Sequence, residues 1–409
     1  MRVVLFTDTL GDVNGVSRFI RNVAEQALAT GRDVQVVTST NFACPTAPNI
    51  HNLRPIAAMK MPGYPNLELT LPPVLKMLRA VRDMRPDAIH ISTPGPVGLI
   101  GRLAARKLGV PTLGVYHTDF PAYVERLFEN ELFTAIARGC MRGFYRRFAT
   151  IFTRSTDYVA RLRSLNVACD HYESLRPGIM LDQFHPRFRD LSIWNTYGSR
   201  SKGPVVRVLS VGRVSVEKNM PMLTRVWPHA AAELQARGIA AELVVVGDGP
   251  HRAEMEEALR DTPTRFLGFR YAEELSRLYA SSDVFVFPSV TDTLGQVVME
   301  SQSSGLPVLV SDQGGPKEVV EHGRTGFVLP ADEPAWVARL VELCSNPTQR
   351  RVMGAEAHES MQNYSMAASF EHWWGVHEAA VHRVHPAQQT ILVNPSASTP
   401  PQAASATAP

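Results

Sequence analysis

Asp292 and Glu300 stand eight positions apart in a stretch of mostly small and apolar residues, "SVTDTLGQVVMESQSSGLPVLVSD", residues 289–312. Asp292 precedes a segment with helical spacing, and Glu300 is predicted about two turns inside that helix. The apolar runs 283–289 and 307–312 on either side read as parallel strands joined by it. A carboxylate beside a helix start that attracts anions fits a ligand with both hydroxyls and a phosphate, such as a sugar nucleotide. A helix cap at Asp292 and a solvated Glu300 are the alternative.

Two cations follow another predicted strand, in the loop "SVGRVSVEKN" (210–219). Arg213 and Lys218 are suited to bind one pyrophosphate, because arginine offers a fork of donors and lysine a point charge. Two solvated surface cations are the alternative. Gly11 and Gly15 lie between the first strand and the first helix, where a glycine lets a phosphate or sugar approach the backbone. The loop does not match G-x-G-x-x-G, so a nicotinamide fingerprint is not supported.

Further polar groups are predicted at the same sheet edges. The run "GVYHTDF" (114–120) ends a strand with His117, which would face a cleft, although a structural histidine is the alternative. The backbone N–H groups of Thr293, Leu294 and Gly295 would point toward the ligand at their helix start. The sequence shows no P-loop, HExxH helix or DxD pair of carboxylates, so we expect no metal and no other cofactor.

These residues need a scaffold that brings the ends of several strands together. Predicted strands and helices alternate in two series, which are separated by a polar stretch without this pattern. The two series predict two doubly wound α/β domains that face each other across a cleft. Clefts between domains are common sites for small ligands. The predicted division is a first Rossmann-like domain (1–187), a linker (188–204), a second Rossmann-like domain (205–364), an amphipathic last helix (365–384) and a disordered tail (385–409).

The composition is that of an ordinary soluble globular protein, with 44% apolar and 20% charged residues among 409. No apolar run approaches the roughly 20 residues that cross a bilayer. The scattered cysteines form no CxxC pair, which indicates a reducing cytoplasm. Residues 1–190 carry 24 lysines and arginines against 16 acidic residues, whereas residues 191–409 carry 18 against 23. The basic first half indicates an anionic surface nearby; a nucleic-acid partner is not expected.

One basic segment, "RGCMRGFYRRFATIFTR" (138–154), suggests which surface that is. Arg138, Arg142 and Arg146 recur every four residues, so a helix would place them on one face, with Arg147 beside them. A solvated helix face with inward-packed aromatics is the alternative. The functional hypothesis is a peripheral contact with an anionic membrane at its cytoplasmic side. Each basic residue near such a surface contributes about 1 kcal/mol to the free energy of membrane binding.

Together, these pieces resemble the retaining glycosyltransferases of family 4, which have the GT-B fold. The branch most similar is that of the sulfolipid synthases and GDP-mannose-dependent mannosyltransferases. The resemblance extends to about residue 383 and is carried by "GDVNGVSR", "YHTDFP", "LRPGIMLDQFHP", "VGRVSVEKN", "VVVGDGP", "FLGF" and "TDTLGQVVMESQSSGLPVLVSDQGGPKEVV". Two positions depart from the family pattern. Asp292 replaces the first glutamate of E-x7-E, and Met180 replaces the acid of the usual "PNGxD" turn.

The resemblance implies transfer of a hexosyl group from a UDP- or GDP-linked donor to a lipid, lipid-linked or glycan acceptor, without a metal. Asp292 and the amides of Thr293, Leu294 and Gly295 would hold the donor sugar and phosphate. Glu300 would accept hydrogen bonds from the ribose hydroxyls. In this fold the last helix crosses back to the first domain.

The remaining roles implied by the resemblance concern the leaving group and the acceptor. Arg213 and Lys218 would neutralise the departing diphosphate, where negative charge develops in the transition state. His117 would lie near the sugar and the acceptor. Phe269 and Arg270, in the loop after a strand, would contact the base.

Two other functions stay open at this point. A sugar-nucleotide 2-epimerase has the same fold, although the Asp292–Glu300 pair favours transfer. A non-catalytic protein that binds sugar nucleotides is the other alternative, and hydrolysis of a labelled donor would separate an enzyme from a binder.

Overall fold

The structure of this chain is a computed structural model. It describes residues 1–11, 15–61, 64–117, 120–121, 124, 130–167, 169, 171–198, 204–292 and 294–384. Of residues 60–61 and 64–69 it describes the backbone only. The predicted site residue Thr293 and the predicted tail 385–409 therefore lie outside the described residues.

Seven parallel strands form the sheet of the first domain. They are β1 (Arg2–Phe6), β2 (Asp33–Thr38), β3 (Ile50–Asn52), β6 (Ala88–Ile91), β7 (Thr112–Tyr116), β8 (Thr150–Thr153) and β9 (Tyr172–Ser174). Their order in the sheet is β3-β2-β1-β6-β7-β8-β9. Two further strands, β4 (Ala57–Met61) and β5 (Tyr64–Leu71), pair with each other in an antiparallel ribbon. Val3, Val4 and Leu5 are fully buried, as expected for the short apolar runs of a sheet covered by helices on both faces.

Five helices of the first domain are described. They are α1 (Gly15–Thr30), α2 (Val74–Met84), α3 (Pro96–Leu108), α4 (Glu131–Tyr145) and α5 (Thr156–Ser164). Local sequence signals set several of their ends. The Asn130 side chain accepts hydrogen bonds from the first amides of α4, and Ser155 does the same for α5. The helix α3 begins with Pro96 and ends at Gly109, which has a left-handed φ of 70°.

The second domain contains a six-stranded parallel sheet with the order β12-β11-β10-β13-β14-β15. The strands are β10 (Val206–Val211), β11 (Ala241–Val246), β12 (Thr264–Gly268), β13 (Val284–Phe287), β14 (Val308–Ser311) and β15 (Gly326–Leu329). The helices are α6 (Ile193–Thr196), α7 (Met220–Ala236), α8 (Arg252–Ala258), α9 (Ala272–Ala280), α10 (Gln296–Ser303), α11 (Glu333–Ser345) and α12 (Pro347–Ser360). Trp227 and Trp336 are almost fully buried between this sheet and its helices.

The segment between the two sheets packs on the second domain. Phe184, Ile193 and Trp194 are buried in the same hydrophobic cluster as strands β10, β11 and β13. The Trp194 indole Nε1–H donates to Ser281 O at 3.1 Å. Much of the predicted linker is therefore part of the packed structure, while the domain boundaries themselves stay predictions.

The last helix, α13 (Met366–Val384), lies against the first domain. Phe370, Trp373 and Trp374 share a core cluster with residues of β1 and α1. His377 Nε2 lies 3.1 Å from His90 Nδ1 in the first sheet, and both rings are fully buried. Among the described residues, no helix combines the length and the apolar character that a membrane crossing requires.

The basic segment differs from its prediction at one end. The helix α4 stops at Tyr145, so the prediction that Arg146 shares a helix face with Arg138 and Arg142 is wrong. Arg146 has an extended backbone and Arg147 a left-handed φ of 70°. The chain turns here because Phe148 is buried in the core directly before β8 begins.

Candidate active site

The loops that carry the predicted donor residues meet at the switch point of the second sheet. Strands β10 and β13 are neighbours, and the chain continues outward from each of them in opposite directions. The loops that follow these two strands therefore open at the same carboxyl edge. Asn219 Nδ2 donates to Pro288 O at 3.2 Å, and Thr291 Oγ1 donates to Glu217 O at 2.9 Å. The two loops are thus joined directly by hydrogen bonds.

Lys218 and Asp292 form an ion pair between these loops. Lys218 Nζ lies 2.7 Å from Asp292 Oδ1, and each side chain is 22% exposed. The backbone carbonyl of Asp292 also accepts a hydrogen bond from Gly315 N at 2.7 Å. Asp292 Oδ2 is buried and has no hydrogen-bond partner among the described residues. One carboxylate oxygen is therefore held by lysine, and the other is left as an acceptor for a ligand hydroxyl.

A glycine places the start of α10 directly behind Asp292. Gly295 is the N-cap residue, with a left-handed φ of 73° and no side-chain cap. A Cβ at this position would lie 2.8 Å from Pro316 Cγ, so both the backbone conformation and the space require glycine. Since no described side chain caps α10, its first amides can bind an anion at the helix start. Leu294 is half-buried beside them.

Glu300 is the fifth residue of α10, so it lies about one turn inside the helix instead of the predicted two. The helix starts later than predicted because Gly295 is left-handed. Glu300 is only 9% exposed, and the Tyr279 hydroxyl donates to its Oε2 at 3.1 Å. Burial raises the pKa of Glu300 to about 7, although the Tyr279 hydrogen bond, the charge of Arg18 and a hydrogen bond from Gln296 act in the opposite direction.

Arg213 occupies the same loop as Lys218 but is more open to solvent. Its side chain is 69% exposed and lies 3.7 Å from the Glu217 carboxylate. A second loop fixes the backbone beside it, because Val214 N donates to Asp248 O at 3.1 Å and His251 N donates to Val214 O at 3.0 Å. The position of the loop is set by backbone contacts, while the Arg213 side chain extends from it into solvent.

Phe269 and Arg270 follow β12, at one margin of the second sheet. Phe269 is 57% exposed and stacks on Tyr271 with ring centroids 6.2 Å apart. Arg270 Nε donates to Tyr197 Oη at 3.1 Å and lies 3.2 Å from Glu274 Oε1. Their predicted contact with a base stays a prediction.

His117 stands at the end of β7 on the opposite side of the cleft. Its Nε2 lies 3.2 Å from Ser92 Oγ, and its Nδ1 is buried without a hydrogen-bond partner among the described residues. Burial lowers the pKa of His117 well below its ordinary value, and the nearby charge of Arg154 lowers it further. The imidazole is therefore neutral near pH 7. It packs edge-on against Phe19, with the ring centroids 6.5 Å apart.

A cavity of about 180 Å³ lies between the two domains and joins these parts. Four predicted site residues line it: Gly15, Asp292, Leu294 and Gly295. Lys218, His117 and Glu300 do not line the cavity themselves, but each contacts or follows a residue that does. Arg213, Phe269 and Arg270 lie outside its lining.

Four polar residues of the cavity wall were missed by sequence reasoning: Arg18, Asn22, Arg154 and Gln296. Arg18 and Asn22 lie one and two turns along α1 from Gly15, so they share its face. Arg154 directly follows β8 and lines the same wall. Its position after a predicted strand was a usable signal, because polar groups at the carboxyl ends of parallel strands face the ligand.

Among the described residues, no group of three or more histidine, cysteine, aspartate or glutamate side chains has an arrangement that could hold a metal ion. The charged groups around the cavity in the described part of the chain are instead a lysine, arginines and two carboxylates.

Comparisons with known proteins assign the chain to a family. The family model of the glycosyl transferases group 1 matches residues 205–346, and that of Glycosyltransferase Family 4 matches residues 13–183. A GDP-mannose-dependent alpha-mannosyltransferase of Mycobacterium tuberculosis is 34% identical over 83% of this chain and 88% of its own length. This chain belongs to glycosyltransferase family 4. The sulfoquinovosyl transferase SQD2 of Arabidopsis thaliana is 30% identical over 90% of this chain and 71% of its own length.

Solved structures agree with this family 4 assignment at the level of the fold. The HepE protein of Anabaena, solved in complex with UDP, aligns with a TM-score of 0.68 at 16% identity, over 93% of this chain and all of its own. The predicted GT-B architecture of two Rossmann-like domains is confirmed. The predicted family, its branch and the assignment as a hexosyltransferase are confirmed as well.

Proposed function

We propose that this family 4 glycosyltransferase moves a hexosyl group, with retention, from a nucleoside diphosphate sugar to a lipid, lipid-linked or glycan acceptor. The main observation is that Asp292 and the start of α10, which no described side chain caps, line one cavity with Gly15 of the first domain, and that Lys218 is paired with Asp292 beside it. A cation, a hydroxyl acceptor and an anion-binding helix start together match the chemistry of a sugar nucleotide.

The donor diphosphate would lie between Lys218 and the first amides of α10. Lys218 has three N–H donors, so it can keep its bond to Asp292 while it binds a phosphate oxygen. Arg213 extends from the same loop and adds a second positive charge on the solvent side. Preorganised charges of this kind stabilise the leaving group more in the transition state than in the ground state.

The sugar would lie between Asp292 and the first domain. Asp292 Oδ2 is free to accept a hydrogen bond from a sugar hydroxyl, and the neutral His117 can share one with a sugar or acceptor hydroxyl. Glu300, when ionised, would accept hydrogen bonds from both ribose hydroxyls. Retention comes from the family resemblance, and it is the part of the proposal that product stereochemistry tests directly.

The test is transfer from a panel of UDP- and GDP-hexoses to short-chain lipid and glycan acceptors. We expect one donor to give a labelled product whose anomeric proton shows the α configuration of the donor. An inverted anomer would contradict retention. Conversion of the donor to a second sugar nucleotide without transfer would instead identify an epimerase.

The same assay also tests whether transfer requires a divalent metal ion. We propose that no divalent metal takes part, because Lys218 and Arg213 can supply the positive charge that the departing diphosphate requires. Transfer is therefore expected to be unchanged in excess EDTA. Loss of transfer in EDTA that Mg²⁺ or Mn²⁺ restores would contradict this part of the proposal.

The surface of α4 supports a lipid or lipid-linked acceptor. Leu132, Phe133 and Ile136, near its start, are 66%, 49% and 54% exposed. Helices that follow parallel strands begin at the carboxyl edge of the sheet, so these apolar side chains lie toward the cleft. Arg138 and Arg142 are exposed further along the same helix. An apolar patch beside arginines is typical of a surface that binds an anionic membrane.

We therefore propose peripheral binding at the cytoplasmic side of a membrane, and expect weak, salt-sensitive binding to anionic vesicles but none to neutral ones. Replacing Arg138, Arg142, Arg146 and Arg147 with glutamine should lower the vesicle–water partition coefficient by tenfold or more, since each arginine contributes about 1 kcal/mol to the free energy of membrane binding. Co-sedimentation at low and high salt measures the effect, and the affinity for the donor should not change.

A control variant of the same net charge separates this surface from overall charge. Four exposed arginines elsewhere are replaced with glutamine in it: Arg82, Arg225, Arg237 and Arg260. Equal loss in both variants would show a charge effect without a specific surface. Wild-type protein that stays in the supernatant with anionic vesicles at low salt would contradict membrane binding and favour a soluble glycan acceptor.

A further inference from the structure

One cation in the cavity wall, Arg154, has no acidic partner among the described residues. Arg154 follows β8, just before the residue that caps α5. Its Nε has essentially no contact with solvent and no hydrogen-bond partner among the described residues. Burial lowers the pKa of the Arg154 guanidinium, and only the Tyr158 hydroxyl acts in the opposite direction. Arg154 as a whole is half-buried, and no described carboxylate compensates its charge.

Such a group lowers the stability of the folded chain. A guanidinium that is partly removed from water loses hydration, and no described carboxylate replaces it at Arg154. Arg154 nevertheless lies at the carboxyl edge of the sheet, where α/β domains bind ligands. A destabilising charge at that location is typical of a residue kept for its ligand.

The other described residues on the first-domain side of the cavity offer no acidic side chain to pair with Arg154. The described lining from this side includes Gly15, Arg18, Phe19, Asn22, Arg154 and Leu175, and no lining residue before position 187 is a carboxylate. Arg18 acts on Glu300 of the opposite domain, because its charge lowers the pKa of that carboxyl. No described carboxylate of either domain acts on Arg154 in this way. A Cβ on Gly15 would lie 4.0 Å from the nearest Arg154 nitrogen, so the guanidinium is next to the glycine at the start of α1.

We propose that Arg154 binds an oxyanion of the acceptor substrate, a phosphate, sulfonate or carboxylate that lies close to its reacting hydroxyl. The fork of N–H donors on arginine matches two oxygens of such a group. The inference rests on the proposed function, since it takes the first domain as the acceptor side. The donor diphosphate has Lys218 and the α10 start on the opposite wall, whereas Arg154 lies close to His117.

The experiment compares two probes that differ only in an oxyanion. Protein saturated with UDP or GDP is titrated with sn-glycerol 3-phosphate and with glycerol, and binding is followed by NMR or calorimetry. We expect glycerol 3-phosphate to bind at least about tenfold more tightly, as for a charge-assisted hydrogen bond. Arg154→Gln should abolish the difference, Arg154→Lys should keep part of it, and the distant Arg82→Gln should leave it unchanged.

Two further measurements keep the result decisive. Arg154→Gln should change the dissociation constant for UDP or GDP by less than about twofold, and its Tm should equal or exceed that of the wild type. If Arg154→Gln lowered the affinity for the nucleotide tenfold, Arg154 would contact the donor diphosphate instead of the acceptor, and the proposal would be overturned. A clear fall in Tm would make Arg154 structural, and equal binding of the two probes by the wild type would also overturn it. Wild-type protein that binds neither UDP nor GDP contradicts the proposed function itself, before any probe is added.

Discussion

Replacing Lys218 with alanine is expected to lower turnover by about 10²–10³-fold, the usual loss when one preorganised charge at a developing anion is removed. Lys218 Nζ is held 2.7 Å from Asp292 Oδ1 at the carboxyl edge of the sheet. It is therefore positioned before the donor arrives and needs no reorganisation during the reaction. Initial rates at saturating donor, with and without acceptor, measure the loss.

The fold should survive this change. Both side chains of the pair are 22% exposed, so the broken ion pair costs on the order of 1 kcal/mol and lowers the Tm by only a few degrees. Arg213→Ala should lower turnover less, because Arg213 is 69% exposed and partly neutralised by Glu217 at 3.7 Å. The matched control is Arg225→Ala, which breaks a surface pair with Glu333 outside the site. Normal turnover in a stable Lys218→Ala protein would exclude this lysine from leaving-group stabilisation.

The meeting of Lys218 with Asp292 was predictable, although 74 residues separate them in the chain. Both follow short runs of β-branched and aromatic residues, which predict buried parallel strands. The ends of such strands share one edge, and ligands bind where the strand order reverses. The pattern does not supply the distance between the two side chains, because that depends on the register of β10 against β13 and on the left-handed Gly295.

Other features depended on contacts that no local pattern records. Tyr279 lies on a different helix from Glu300, and its hydroxyl reaches the carboxylate only in the folded domain. The strands β3 and β9 are three residues long, too short for an alternating pattern to show. The ribbon of β4 and β5 contains Pro65, and proline within a run lowers the expectation of a strand.

Replacing Glu300 is expected to have the second large effect. Its burial favours the neutral carboxyl, whereas its predicted role, accepting hydrogen bonds from the ribose hydroxyls, requires the ionised form. In the empty protein its pKa is raised to about 7, chiefly by burial. In an unfolded chain the same carboxyl has a pKa near 4.5. A carboxyl with a raised folded-state pKa stabilises the fold fully below the unfolded value, and that contribution is lost as pH rises through the folded value. The full loss is about 3 kcal/mol, since each pKa unit is worth about 1.4 kcal/mol.

Glu300→Gln is therefore expected to stabilise the empty protein at high pH only. Glutamine resembles the protonated carboxyl and can still accept the hydrogen bond from Tyr279. Near pH 4, below the unfolded pKa of 4.5, the two proteins should melt at nearly the same temperature, whereas near pH 8.5 the variant should melt several degrees higher. Thermal melts across this range measure the difference, and every other titrating group cancels in it. The exposed Glu257→Gln is the matched control, and it should show no such divergence.

The same substitution should weaken donor binding, which connects the stability cost to function. A carboxylate accepts hydrogen bonds from two ribose hydroxyls at once, and hydrogen bonds to charged groups are worth about 1.5–3 kcal/mol each. Wild-type affinity for the sugar nucleotide should thus rise between pH 6 and pH 8, as Glu300 ionises more readily in the complex. Glu300→Gln should bind about 10–100-fold more weakly at pH 8 and show little dependence on pH. A sugar nucleotide is the right probe, because its diphosphate is esterified at both ends and does not titrate in this range.

If the variant melted higher at pH 8.5 but bound the donor as tightly as the wild type, the predicted contact between Glu300 and the ribose would be wrong. If its melting temperature exceeded that of the wild type equally at every pH, the raised pKa of Glu300 would be contradicted, because a difference that does not vary with pH means that Glu300 has the same pKa in the folded and the unfolded chain.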